Sequence, residues 1–198
     1  MTHTGQITLS HRETLTHVER HSPYLQQIAS RYPELVNAIE ADGHEACLQD
    51  VLQHIEKLSE ETDRDAFMKE MRVCKRHAAL IIGMADIAGL WDVPTATHKL
   101  SELADKCVQL AFAFAMRRFD TVVERSGYAL FAVGKLGSHA LNYSSDIDLI
   151  AIFERELAEQ LTDKDTQASM NKLTQEVIAL LQDRTVDGYV FRVDLRVR

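Results

Sequence analysis

The repeat of apolar residues changes period near Gly127, and that change constrains the fold more than any other feature of the chain. Before it the spacing is helical. Leu100, Leu103, Cys107, Leu110 and Phe114 recur at steps of three and four, which predicts a helix from about Thr95 to Arg125 with one apolar stripe. Asp120, Glu124 and Arg125 fall near its end, and Ser126-Gly127 supplies a stop. Earlier helices are expected over Pro23 to Ser30, Pro33 to Ala41, His44 to Leu58, and Asp63 to Ile87, the last broken or bent near Gly83. Pro23, Pro33 and Pro94 all lie where a helix would begin, a position that needs no backbone donor.

After Gly127 the period becomes two. Tyr128 to Val133 and Asp146 to Phe153 read as short strands, and Tyr189 to Val197 alternates apolar with charged residues along its length. Between the last two, Thr166 to Leu181 reads as a helix, with Met170, Leu173, Val177 and Leu180/Leu181 on one side. The expectation is an α+β chain. Residues 1–126 form a helical region, and residues 127–198 form a small mixed sheet with packed helices.

Composition narrows the function. At 198 residues and 45% hydrophobic content the chain can bury a real core. A formal net charge of -8 repels nucleic acid and anionic membrane, so neither is an expected partner, and an anionic ligand needs local cations or a metal. Cys47, Cys74 and Cys107 are odd in number and widely spaced. They read as buried small hydrophobes in a reducing cytoplasm. The stretch Met1 to Leu9 lacks a signal-peptide pattern, and the longest apolar run, Ala78 to Ala85, is too short to span a bilayer.

The chemistry-bearing stretch runs from Gly134 to Ile150. On a strand, Asp146 and Asp148 project from one face, with Cα atoms roughly 7 Å apart. Ile147 and Leu149 then point into the core. Two such carboxylates either raise one pKa or share a cation, and Mg²⁺ prefers oxygen ligands of this kind. On the last strand Tyr189, Phe191, Val193, Leu195 and Val197 share an apolar face, leaving Val190, Arg192, Asp194 and Arg196 opposite. If the two strands are neighbours, Asp194 completes a three-carboxylate cage, flanked by Arg192 and Arg196 for phosphate contacts.

Upstream, Gly134 and Gly137 let backbone approach a ligand, and Ser138 caps a short helix over His139 to Tyr143, an arrangement suited to a phosphate. Lys135 lies between the glycines, but the Gly-Lys-Leu-Gly stretch is not a P-loop. Each part also has a plainer reading. Asp-x-Asp can be a solvated face, the Arg-Val-Asp-Leu-Arg strand can pair its charges across a hairpin, Ser138 can be a cap only, and His139 an exposed polar residue.

Taken together and in order, Gly-Ser, Asp-x-Asp and a later single Asp resemble the nucleotidyltransferase superfamily. The longer match is narrower. Gly134-Lys135-Leu136-Gly137, Leu141-Asn142, Ser144-Ser145-Asp146-Ile147-Asp148-Leu149-Ile150 and Gly188-Tyr189-Val190-Phe191-Arg192-Val193-Asp194-Leu195-Arg196 are similar to the bifunctional glutamine synthetase adenylyltransferase/adenylyl-removing enzymes. Asp86 to Asp92 and Ser101 to Asp105 add helical segments, so the resemblance covers about residues 60 to 198.

The Asn-x-Ser-Ser-Asp-Ile-Asp form is similar to that family's N-terminal, adenylyl-removing domain. The resemblance implies phosphorolysis of an adenylyl-tyrosine on glutamine synthetase, with Mg²⁺ or Mn²⁺ as cofactor and ADP or ATP and phosphate as substrates. It implies Asp146, Asp148 and Asp194 as metal ligands, and glutamine synthetase as partner. PII-type signalling proteins are a further partner for the helices. Two departures stand out: Ala140 where the family has Glu, and an end at Arg198 where the family continues, which leads to the expectation of a C-terminally truncated core. A nucleotide- or partner-binding module without catalysis, and a transferase with another acceptor, are the competing readings.

Overall fold

The computed structural model describes residues 8–117, 127–159 and 166–197. Six helices come first: α1 (His11–His21), α2 (Pro23–Arg31), α3 (Pro33–Asp42), α4 (His44–Lys57), α5 (Arg64–Ile87) and α6 (Val93–Met116). The second part holds β1 (Tyr128–Val133), α7 (Gly134–Gly137), β2 (Ile147–Phe153), α8 (Arg155–Glu159), α9 (Thr166–Gln182) and β3 (Val193–Val197). The α+β class read from the change of period is what the chain adopts. The expected stop of α6 at Ser126 lies outside the described residues.

α5 is the central helix. Ala78 to Ala85 are buried all round, so the apolar run of the sequence is the middle of a bundle, with α1, α2, α4 and α6 packed about it. The expected break at Gly83 is absent, and the helix runs on unbroken. A side chain at Gly83 would put its Cβ 2.7 Å from Leu25 Cδ1, so the glycine is there to let α2 press against α5.

α1 extends beyond the expected helices. Its start is written as a capping box: Ser10 caps the Glu13 backbone, and the Glu13 side chain accepts from the Ser10 N–H at 2.9 Å. The three cysteines are free and buried, as expected, and burial pushes the Cys74 thiol up to about 12. No helix among the described residues is long and apolar enough to cross a membrane.

The sheet has the order β1-β2-β3, with β1 antiparallel and β3 parallel to β2. A parallel pair requires a long crossover, and α9 lies within it. α9 packs on α6 and β3, and the β2 residues Ile147, Leu149 and Ala151 join the same apolar cluster. That cluster runs without interruption from Val18 to Phe191, so helices and sheet share one core.

Arginines of α5 fix the join. Arg72 is completely buried, and its guanidinium donates to the carbonyls of Gly188 at 2.8 Å, Met68 at 2.8 Å, Leu180 at 3.2 Å and Asp183 at 2.5 Å. Leu180 lies in the last turn of α9 and Asp183 directly after it, where carbonyls lack helical partners and favour a cation. About one turn further along α5, Arg76 reaches Asp187 at 2.9 Å, where Arg31 of α2 joins it at 3.1 Å, and Arg64 reaches Glu176 at 2.8 Å.

The last strand differs from its expected extent. It begins at Val193 rather than Tyr189, and Val190, placed by alternation on the polar face, is fully buried. The reason is that the N–H groups of Val190 and Phe191 both donate to the Leu181 carbonyl, at 2.9 and 3.1 Å. They close off the end of α9 before the chain enters the sheet.

Two predictions test this architecture. Replacing Arg72 with Met leaves buried carbonyls without donors and should lower unfolding free energy by roughly 3–5 kcal/mol. Arg64→Ala, at a half-exposed pair, should cost less than about 1 kcal/mol in the same urea titration; equal losses would contradict the assignment.

The second concerns acid. Burial holds both His44 and His77 below the ordinary histidine value, and Nε2 of each has no hydrogen-bond partner among the described residues. The unfolded chain therefore takes up protons first as pH falls, so stability is full above about pH 6.5 and declines below it. The melting temperature should drop on going from about pH 7.5 to about pH 5.5, and His77→Phe should flatten that drop; an unchanged slope would contradict it.

Candidate functional site

Parallel pairing of β2 with β3 sets Asp148 opposite Asp194, between Ile147 opposite Val193 and Leu149 opposite Leu195. Side chains alternate along a strand, so with Leu149 buried, Asp148 lies on the outer face and Asp194 beside it. Asp148 is half-buried and Asp194 exposed. Asp146 precedes β2 rather than starting it, and the Ile147 N–H donates to the Arg192 carbonyl at 2.9 Å, which carries the pairing one step further.

Asp146 is held by the side chain of Arg192. The Arg192 Nε donates to Asp146 Oδ1, and its Nη2 donates to the Ser144 carbonyl at 2.8 Å. The hydrogen bond it donates to Asp146 raises the Arg192 guanidinium above its ordinary value. Asp148 and Asp194 are thus brought side by side, with Asp146 next to them in an ion pair. Among the described residues, no group of three His, Cys, Asp or Glu side chains is gathered closely enough to hold a metal.

Gly134 shapes the other side of Asp148. It has φ +59°, and a Cβ there would lie 2.6 Å from Asp148 Oδ2, so only glycine lets the carboxylate sit where it does. Gly137 likewise makes room for the Ala132 carbonyl. At both glycines the missing side chain makes room for the chain itself, the Asp148 carboxylate and the Ala132 carbonyl.

The expected helix over His139 to Tyr143 does not form. The single helical turn precedes it, at α7, and Ser138 ends that turn, donating from Oγ to the Lys135 carbonyl at 3.2 Å. His139 follows with φ 52°, which stops any continuation, and its side chain is exposed as expected. Lys135 Nζ reaches Ser145 Oγ at 3.3 Å. Arg196 is opposite Ile150 by its backbone, and its side chain lies outside the described residues.

The loop 142–145 is anchored from the helices. Buried Ser101 accepts from the Leu141 N–H at 3.1 Å, and the Tyr143 hydroxyl donates to Asp86 at 2.9 Å. Burial and the Asp86 carboxylate both push the Tyr143 phenol up. Asp86, Ser101 and Tyr143 were missed as site supports because nothing in the local pattern links positions so distant in sequence.

A sequence model of the glutamate-ammonia ligase adenylyltransferase family matches residues 12–198. The chain belongs to that family. It is 36% identical over 190 residues to a bifunctional glutamine synthetase adenylyltransferase/adenylyl-removing enzyme from Mesorhizobium japonicum, covering 89% of this chain and 19% of that protein. A protein of the same name from Bradyrhizobium sp. (strain BTAi1 / ATCC BAA-1182) is 37% identical over 193 residues, covering 86% of this chain and 20% of its own. One from Brucella suis is 33% identical over 191 residues, covering 89% and 19%. The chain spans about a fifth of the length of the curated relatives it matches.

In this member of the glutamate-ammonia ligase adenylyltransferase family, the position of Asp148 depends on Gly134. Gly134→Ala should destabilise the chain by more than Gly43→Ala. Both positions have positive φ, but nothing lies within 4 Å of a Cβ at Gly43. Backbone strain alone costs about 1–3 kcal/mol at either site, and the displaced Asp148 adds to it only at Gly134. Equal losses in urea unfolding would show that the carboxylate does not depend on the glycine.

Proposed function

We propose that this chain carries the adenylyl-removing chemistry of its family, releasing an adenylyl group from a tyrosine of glutamine synthetase by phosphorolysis. The observation that carries the reading is the register of Asp148 against Asp194, with Asp146 at the same end of the sheet, in a chain of this family. A phosphate oxygen bonds to the α-phosphorus, the bond to the tyrosine oxygen breaks, and that oxygen takes a proton, which leaves ADP and tyrosine.

The residues fit a hard divalent cation, Mg²⁺ or Mn²⁺. All three donors are carboxylate oxygens, and Gly134 leaves the room that the Asp148 carboxylate occupies beside Asp194. Asp148 and Asp194 would hold the ion, joined by Asp146 once Arg192 turns away. When bound, the ion supplies charge neutralisation at the phosphoryl oxygens. Arg192 and Arg196 orient phosphate through their planar guanidinium forks. Lys135, with Gly137 and Ser138 at the exposed end of α7, completes the phosphate contacts from the other side of Asp148.

The free, buried cysteines suit a cytoplasmic setting. PII-type signalling proteins, as partners of the helical region, belong to the same proposal. The engagement of Asp146 by Arg192 favours a second reading, a nucleotide-binding module in which the acids do not assemble for catalysis.

Adenylylated glutamine synthetase, phosphate and Mn²⁺ incubated with the chain should yield ADP. Asp148→Asn and Asp194→Asn should each lower the rate at least about a hundredfold, since an ion at this place supplies several kcal/mol. Absence of ADP release by the unaltered chain, with metal-dependent ADP binding retained, would favour the binding module. Full activity of either variant would refute the metal assignment.

A further inference from the structure

A cleft of about 540 Å³ opens between α2, α5 and the loops 142–145 and 184–192, a volume suited to a small organic ligand. Asp146, Asp148 and Asp194 do not line it, though both loops lead directly into those acids.

The charge of the cleft is opposite to that of the chain. Lys75, Arg76, Arg184 and Arg192 line it against one carboxylate, Asp187, in a protein of net charge -8. Asp187 is already shared by Arg76 and Arg31. Lys75 reaches the Tyr24 hydroxyl at 3.2 Å, and Arg184 lies 5.6 Å from the Tyr189 ring centre. Neither makes a salt bridge to a carboxylate among the described residues. Ser144, Ser145 and Asn142 place further polar groups on the same wall.

These groups select the ligand. A cation is repelled, and an apolar molecule would leave several charged groups without water. The Tyr24 and Tyr189 rings each already carry a cation over one face, at 5.3 and 5.6 Å, so the cations and not the rings dominate what the cleft offers. Guanidinium forks and an ammonium that line one cleft match phosphate oxygens.

We infer that this cleft binds a phosphorylated ligand of nucleotide size, with Lys75, Arg184 and Arg192 on its phosphate groups, and that it does so without a metal. This goes beyond the reading of the sheet acids, none of which lines the cleft. It also touches that reading at one residue: a phosphate that draws on Arg192 competes with Asp146 for it. That linkage, unlike the binding itself, rests on the proposed metal role of Asp146.

The test is calorimetric titration of the 198-residue chain with ADP in EDTA and low salt, with adenosine and pyrophosphate as companions. ADP should bind, adenosine should not, and pyrophosphate should displace ADP. The double variant Lys75→Gln/Arg184→Gln should bind ADP at least about tenfold more weakly, the loss expected from charge-assisted hydrogen bonds. Its circular dichroism and its Mn²⁺ affinity should match the unaltered chain. No ADP binding in EDTA, binding indifferent to the double variant, or ADP that pyrophosphate cannot displace would each overturn the assignment. Failure of the sheet acids to bind Mn²⁺ would count against the metal reading and leave the cleft result standing.

Discussion

Arg72 donates to carbonyls from three parts of the chain and has no exposed surface, which makes it the constraint on which the rest of the structure depends. Burial pulls its guanidinium below the ordinary arginine value, and that cost is offset only while every donor keeps its carbonyl. It joins α5, the middle of the helical bundle, to the last turn of α9 and to Gly188. The chain then has five residues, from Gly188, in which to close α9 and enter β3 at Val193. A shift of one residue there would turn Asp194 to the core and Leu195 to solvent, because strand side chains alternate. The relation of Asp148 to Asp194 is therefore set by a contact well removed from either acid.

Electrostatics follow the same seam. Arg31 and Arg76 converge on buried Asp187, Arg72 takes the end of α9, and Arg192 takes Asp146. In an acidic chain these arginines are concentrated where the helices meet the turn 184–192. Asp148 and Asp194 stand on the outer face of the sheet, and Arg192, which holds Asp146 beside them, also lines the basic cleft. Across the rest of that face, Phe131 and Ile152 are exposed, and apolar surface lies next to the acids.

Much of this was legible in the sequence, and the reasons differ by element. The change of period at Gly127 placed β1 and β2 within a residue of where they lie, because each has one buried face and alternation reports that directly. α9 and the helix starts at the prolines were readable for the same kind of local reason. α1 carried a readable signal as well, the Ser10 and Glu13 capping box, which outweighs its weak apolar pattern. The pairing of Asp148 with Asp194 was an expectation conditional on the strands being neighbours, and they are.

What was not legible depends on contacts between distant residues. Gly83 reads as a helix breaker until Leu25 is seen against it. Val190 reads as outward-facing until its N–H is given to Leu181. Ser138 looks like the start of a helix, whereas α7 has already ended there and His139 turns away. Arg72 and Arg76 look like solvated charges on a helix, and no local pattern pairs them with Gly188 or Asp187.

The central claim is that the seam around Arg72 holds Asp148 and Asp194 together on one face of the sheet, where an ion can join them. Diffraction from Mn²⁺-soaked crystals, recorded for the anomalous signal of manganese, tests it most directly. The account predicts a peak between the two carboxylates, with oxygen distances of about 2.1 Å, on the face away from Leu149 and Leu195. A sheet in which those two acids face opposite sides, or a map with no manganese between them, would contradict it.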